Sequence, residues 1–506
     1  MSAQLYGTAL PSALPSALPS ARESARDALC ALILAVLALV LYWSSPRLWL
    51  WGDGDFLLAR FAEGRSTWMH LAYLPTARVL EWLGLVEGPA PALRAAASLG
   101  AAVGLGFSFL LARRAGVGRS AAGFATAMIG LTPAVWFFAV QVEVHGTQFA
   151  AVALGAWLTA AAPWARFGPA LGSAMVGLAL VHFGHQSAPA LGPGWVLLVA
   201  FAARRQGVIL SAPRVLFAVG PALVVALVCA DFAITLVGEP AVLFGSKERV
   251  ATFAAEHHNL PSLAWWRADI VLPLGAAVLG VLLGIAALVR RGRAGALEAA
   301  ALAALIGVPT AIFALWAVDN RGGYLAASAP FLIWLVGRSP DLWRRRSTGV
   351  LLLVGLVLSQ AMLGWRDLAG EADNFDRVKH ERRAAAVAAA LPHGGYLLSL
   401  DIDQQNVRQF AARVGEVFWV NAIERSRRRD EDPAATARRL VDEVRTQRAG
   451  SALLLDVDYR QYLELPGFEP WGARARAIEI ELGRHFRFEP VAGPEGSDWP
   501  LVRLVP

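Results

Sequence analysis

The chain has 506 residues, of which 56% are hydrophobic and only 17% charged, and its mean hydropathy is +0.48. Soluble domains carry about 25% charged residues, so this composition excludes an ordinary soluble fold and points to a polytopic membrane protein. The formal charge of +7 comes from short arginine clusters set between apolar runs, a topology pattern that gives no reason to expect a nucleic-acid partner.

In chain order, residues 1–26 hold the proline-punctuated part of "PSALPSALPSARESARDAL" (11–29). It has too little apolar material to bury a core and is expected to be a disordered cytoplasmic tail. The first apolar run begins near Ala28, behind Arg22 and Arg26, and ends in "LYWSSPRLWLW" with no small-residue cleavage site, as an uncleaved anchor would. Apolar runs of about 17–25 residues, the length that crosses a bilayer, fall at 28–45, 93–112, 118–139, 147–163, 168–184, 187–203, 214–237, 270–289, 297–317, 324–338 and 348–364. The expectation is a mainly α fold, a bundle of about eleven transmembrane helices, because in lipid each backbone must satisfy its own hydrogen bonds. Cys30 and Cys229 both lie inside apolar runs and offer neither a disulfide framework nor a zinc site.

The loops 113–119, 203–214, 290–293 and 337–347 are short and rich in arginine, whereas "QVEVHG" (141–146) and "HFGHQ" (182–186) contain no arginine or lysine. By the positive-inside rule the first set faces the cytoplasm and the second faces outward. From about residue 366 the chain becomes charged and alternates strand-like and helix-like segments. Residues 365–506 are therefore expected to form an extracytoplasmic α/β domain, with the transmembrane domain at 27–364 and its first outer loop at 46–92.

The polar residues of the apolar region gather at the outer ends of the predicted spans. Asp53 and Asp55 follow the first span, Glu143 and His145 the third, His182 and His185 the fifth, and Asp319, Asn320 and Arg321 the ninth. Ionisable groups at membrane depth are costly and face a cavity or a partner, so this shared face is a candidate site. Each member also has a plain structural role open to it. Asp53 can cap a helix starting near Phe56, the histidines can be satisfied by water, and Arg321 can snorkel.

Four stretches together resemble the GT-C superfamily of integral-membrane glycosyltransferases, within it the protein O-mannosyltransferase-like branch. They are "GDGDF" in the first outer loop, "TPAVWFFAVQVEVHGTQFAAVAL", "GLALVHFGHQSAPALGPGWVLL" and "DNRGGYLAASAPFLIWLVG". In the second stretch Trp136 and Glu143-Val144 match the branch, and His145 stands where a tyrosine is usual. The resemblance implies sugar transfer, with inversion, from a polyprenyl-phosphate donor to an acceptor hydroxyl of a glycan or protein. It implies Asp53 or Asp55 as general base, with Asp53 preferred, and Arg321 with Tyr324 at the donor phosphate. Glu143, His145, His182 and His185 are left to orient the acceptor. A divalent cation, Mg or Mn, held by Asp53, Asp55 and Glu143 remains open. The expected location is a bacterial inner membrane, with the N-terminus cytoplasmic and the C-terminal domain periplasmic. The competing readings are a catalytically inactive GT-C-like scaffold and a transport or flippase component. A transporter would place its ionisable groups near the bilayer midplane, and here they gather at one face.

Overall fold

The computed structural model describes residues 20–45, 54–62, 64, 71–184, 188–220, 261–316, 321–342, 347–372, 396–400, 418–421, 432–447, 453–456, 469–491 and 501–505. The chain divides into two compact units, a helical one reaching Ala369 and a C-terminal one from Gly370.

Helix α1 (Ala21–Ser44) starts in a capping box. The Ser20 hydroxyl accepts from the Glu23 N–H at 3.2 Å, and the Glu23 carboxylate accepts from the Ser20 N–H at 3.0 Å, which satisfies two orphan donors. Leu32, Leu37 and Val40 on its outer side are about 60% exposed, a stripe suited to lipid and not to water. Two short helices follow, α2 (Gly54–Ala62) and α3 (Tyr73–Trp82). Helix α4 (Pro89–Arg114) then runs through the centre of the unit, with proline in its first turn and Arg113 and Arg114 in its last, as the helix dipole favours.

The next apolar run is broken. Helix α5 (Arg119–Gly130) stops, Thr132 caps α6 (Pro133–Val140) by accepting from the Val135 N–H, and the two axes differ by 63°. Pro133 lacks the N–H that would continue the ladder. Helices α7 (His145–Ala161), α8 (Phe167–Gly184) and α9 (Ala188–Arg205) follow. Helix α10 (Leu263–Leu274) contains a π turn at Arg267–Val271 and meets α11 (Ala277–Arg290) at 88°. Gly275, at φ +55°, makes that corner. Helix α12 (Ala296–Trp316), a 3₁₀ turn at Gly323–Ala327, α13 (Ala329–Val336) and α14 (Ser347–Ala372) complete the unit.

The expectation of about eleven spans is corrected. Among the described residues four helices are long and apolar enough to cross a membrane, in Ala21–Ser44, Pro89–Arg114, Phe167–Gly184 and Gly292–Ala314, or up to six if each bent pair counts as one span. A hydropathy window averages over breaks that the backbone makes. Residues 118–139 and 270–289 are each bent at a break, 147–163 yields a helix of 17 residues, and 324–338 is a 3₁₀ turn followed by eight helical residues. The run 214–237 lies mostly outside the described residues.

Small residues let the helices approach closely, the usual device where lipid supplies no hydrophobic drive between helices. A Cβ on Gly100 of α4 would sit 2.7 Å from the backbone of Gly146 in α7, and one on Gly146 would collide with the Ala97 carbonyl. Gly155 and Gly177 do the same for α7 and α8, and Gly194 lets α9 meet Leu305 of α12. Buried hydrogen bonds tie the remaining elements. Tyr42 Oη donates to Gly130 O at 2.8 Å, Ser98 Oγ to Ala139 O at 2.6 Å, and Trp136 Nε1 to Ser45 Oγ at 2.8 Å.

One end of the helical unit is stitched by arginines. Asp27 accepts from Arg113 at 2.9 Å and Arg119 at 2.7 Å, joining the second turn of α1 to the end of α4 and the start of α5. Buried Glu298 accepts from Arg291, Trp334 Nε1 and Arg338, each at 2.7 Å, and Arg338 also donates to the carbonyl of Ala115. At 1.5 Å per residue, Ala97 beside Gly146 lies about 25 Å along α4 from Arg114, close to the hydrocarbon thickness of a bilayer.

The C-terminal unit is a five-stranded mixed sheet in the order β2-β1-β3-β5-β4, built from β1 (Tyr396–Ser399), β2 (Phe418–Asn421), β3 (Leu453–Asp456), β4 (Arg487–Pro490) and β5 (Leu501–Val505). The first three strands pair in parallel, and β5 and β4 are antiparallel. Leu398, Leu455 and Leu504 pack with Ala437, Leu440 and Val441 of α15 (Pro433–Gln447) and with Ala475, Ile478 and Leu482 of α16 (Glu469–Leu482). The spacing i, i+3, i+4 or i+7 puts each helix's apolar stripe on the sheet.

Because a backbone carbonyl and not a flexible side chain stands in the way, Gly146→Ala is expected to lower stability by about 1–3 kcal/mol. Gly172→Ala, with open space around it, is expected to be neutral. Thermal unfolding of both variants in one detergent checks the contrast. Glu298→Ala strands Arg338 in the interior and is expected to cost about 3–5 kcal/mol, read in the same assay.

Candidate active site

At the end of the helical unit opposite the stitched arginines, the turn from α6 to α7 carries Glu143 and His145. The apolar segment "VWFF" forces α6 inward, so Trp136, Phe137 and Phe138 are buried and the turn that follows is buried with them. Glu143 is 4% exposed, and its Oε2 accepts from the Val144 N–H at 3.1 Å. Below it, the Tyr73 hydroxyl donates to Leu93 O at 2.9 Å. Burial first, and then the neighbouring Glu143 charge, push the Tyr73 phenol well above its ordinary range, so it stays neutral and a donor.

His145 opens α7. Its Nδ1 lies 3.2 Å from Gln148 Oε1, the Phe138 ring meets it edge-on at 4.5 Å, and Tyr324 lies at 6.4 Å between ring centroids. Tyr324 in turn stacks on Phe313 of α12 at 4.2 Å with the planes 10° apart. A cavity of about 20 Å³ between His145, Phe138, Phe149 and the 322–326 turn connects α6, α7 and that turn.

Arg321 sits at φ +45°, followed by Gly322 at φ +79°. A non-glycine residue in the left-handed region is strained and persists where its surroundings hold it. Gly322 explains the turn, since a Cβ there would lie 2.6 Å from Pro273 Cβ. The Arg321 guanidinium lies 4.9 Å from the centre of the Phe137 ring and 3.6 Å from Asp367 Oδ1 of α14. Both charged side chains are about a third exposed, so solvent screens the pair and it contributes at most about 1 kcal/mol.

The structure thus brings Arg321, Tyr324 and His145 around one aromatic cluster, with Glu143 two residues from His145 on the same turn. His182 lies in the last turn of α8, 4% exposed, and its neighbour Phe183 accepts from the Ala72 N–H that leads into Tyr73. Its Nδ1 has no hydrogen-bond partner among the described residues. Asp53, His185, Asp319 and Asn320 lie outside the described residues, and Asp55 is the second residue of α2. Among the described residues, no group of three His, Cys, Asp or Glu side chains is placed to hold a metal ion.

Two acids near the cluster were missed by the sequence reading. Asp367 stands beyond residue 364, where the last span was expected to end, and α14 continues to Ala372. Asp269, 2% exposed, sits in the π turn and lines a small cavity with Thr310, Phe313 and Tyr324. Single π turns recur at functional sites. The sequence trace of this one is an arginine and an aspartate, Arg267 and Asp269, at the mouth of an apolar run.

Arg321→Gly and Arg321→Ala both remove the guanidinium, but only alanine keeps a Cβ in the left-handed region. The glycine variant is expected to be more stable than the alanine variant by about 1–2 kcal/mol, as a pairwise thermal-unfolding comparison will read.

No family model matches the chain, and no curated protein matches its sequence. Among solved structures, ArnT from Cupriavidus metallidurans in the apo state is similar over 95% of this chain and 98% of its own, with a TM-score of 0.54 at 15% identity. The same protein bound to undecaprenyl phosphate gives a TM-score of 0.54 at 15% identity over 96% of this chain and 98% of its own. The Archaeoglobus fulgidus oligosaccharyltransferase, in complex with Zn and sulfate, has a TM-score of 0.49 at 12% identity over 88% of this chain and 70% of its own. The chain shares a fold, at a distance, with ArnT, and the likeness does not single out the protein O-mannosyltransferase-like branch expected from the sequence.

Proposed function

We propose that the chain is a membrane glycosyltransferase that moves a sugar from a polyprenyl-phosphate donor to an acceptor hydroxyl on the extracytoplasmic face. The observation that carries this reading is the likeness to ArnT over nearly the whole of both chains, one of the two ArnT structures being bound to undecaprenyl phosphate. The segregation of polar residues supports it. Arg113, Arg119, Arg291 and Arg338, paired with Asp27 and Glu298, lie at one end of the helical unit, and Glu143, His145, His182 and Arg321 at the other. With the arginine end in the cytoplasm, the second end of the helical unit faces the periplasm of a bacterial inner membrane.

In this reaction the acceptor hydroxyl attacks the anomeric carbon while a carboxylate, Asp53 or Asp55, takes its proton as general base. The bond between the anomeric carbon and the phosphate oxygen breaks with inversion, and the lipid phosphate leaves as an anion. Arg321 suits the leaving group, because a guanidinium presents a fixed fork of donors to phosphate oxygens. The strained turn and the Phe137 ring hold that fork in place before the donor arrives. Glu143 and His145, buried on one turn, are assigned to the acceptor side. A divalent cation at Asp53, Asp55 and Glu143 is a secondary element of the proposal, and chelator treatment tests it.

Envelope extracts supplied with radiolabelled mannose, glucose or arabinose on polyprenyl phosphate test the reading. Wild type is expected to label an acceptor. One of Asp53→Asn and Asp55→Asn is expected to lower the rate by about 10²–10⁴-fold, and Arg321→Ala by about 10²–10³-fold, with all variants folded. Labelling unchanged by the three substitutions sinks the proposed site, and absence of labelling from every donor with wild type favours the inactive scaffold.

A further inference from the structure

A cavity at the arginine end of the helical unit plays no part in the proposed reaction. It has a volume of about 320 Å³ and opens between the first turns of α1, the end of α4, α7, the end of α9 and α13. That volume is in the range of small-ligand sites, about 300–1,000 Å³. Its floor is apolar, with Leu111, Trp157, Leu198 and Phe201, and its rim carries Arg113, Arg114 and Arg205.

The acids in the wall are already engaged. Asp27 is bound to Arg113 and Arg119, and Glu23 closes the capping box on Ser20. Neither Arg114 nor Arg205 has a carboxylate within ion-pairing distance among the described residues, and Arg205 Nε is buried with no hydrogen-bond partner. Arg205 is also within electrostatic reach of Arg338 and Arg291, with Glu298 offsetting only part of that repulsion. A buried guanidinium donor left unmade is costly, and an anion seated in the cavity would offset that cost.

We infer that this cavity is a binding site for a phosphate group carried on a lipid, with the phosphate held by Arg114 and Arg205 and the start of an acyl chain on Trp157, Leu198 and Phe201. Basic pockets between helices at the cytoplasmic surface take anionic headgroups in this way, and two guanidinium forks match a phosphate better than ammonium groups would. The site lies at the end of the bundle opposite Arg321, so its occupant is distinct from the donor. The inference does not depend on the proposed reaction.

Native mass spectrometry of the full-length protein in detergent tests it, with titrations of phosphatidylglycerol, phosphatidylcholine and inorganic phosphate. Wild type is expected to bind phosphatidylglycerol at least about tenfold more tightly than phosphatidylcholine. The pair Arg114→Gln with Arg205→Gln is expected to remove that preference, and Arg205→Lys, which keeps the charge but loses the fork, to remove part of it. Arg290→Gln, on the same face but outside the cavity, is expected to leave it unchanged. Should the double variant fail to elute as a folded monodisperse species, Arg114→Gln and Arg205→Lys carry the comparison. Equal binding of the two lipids, or a preference that survives in the arginine variants, overturns the inference. Binding of inorganic phosphate that depends on the two arginines, with no gain from lipid, keeps the anion site and assigns the free ion as its occupant.

Discussion

The positions of Glu143 and His145 in the candidate site depend on how closely α4 and α7 approach. Gly100 and Gly146 bring two backbones together where any Cβ would collide, and in lipid such packing is the main source of helix association. Once α7 starts against Ala97, the preceding turn has only one place to go. Glu143 is then buried over Tyr73, and His145 meets the edge of Phe138. The Ser98 hydrogen bond to Ala139 fixes α6 to the same stretch of α4. Gly322, pressed on Pro273 and Ala134, brings the Arg321 turn onto α6 by the same logic of missing side chains.

The two ends of the helical unit use charge differently. At one end arginines are consumed in structural pairs with Asp27 and Glu298, which bind α1 to α4 and α5 and α12 to α13. At the other, Arg321 is shared between an aromatic face and a screened carboxylate, Asp367. The first arrangement is buried and binds helices together, whereas the Arg321–Asp367 pair is about a third exposed and screened by solvent.

The sequence made the site's outline legible because polar residues in an apolar chain stand out. Glu143, His145, Arg321 and Tyr324 lie at the ends of hydrophobic runs, and the structure groups the last three around Phe137 and Phe138. What it hid was geometry that hydropathy does not encode. The 63° break at Thr132-Pro133 and the 88° corner at Gly275 divide runs that read as continuous. The run 324–338 contains only eight residues of α-helix, and so the span count was too high. Asp367 was assigned to the tail because α14 outlasts its apolar stretch. Asp269 was hidden because its burial follows from a π turn that no residue pattern announces.

The proposed reaction requires a phosphate-linked lipid at Arg321, at the end of the bundle away from the stitched arginines. The most direct measurement is a cryo-electron microscopy structure of the full chain in nanodiscs with a polyprenyl phosphate. A phosphate is expected within hydrogen-bonding distance of the Arg321 guanidinium, with the Asp367 pair opened and the isoprenoid chain leading into the bilayer beside the His145–Tyr324 cluster. A phosphate seated only among Arg114 and Arg205, with Arg321 still on Asp367, would contradict the proposed reaction.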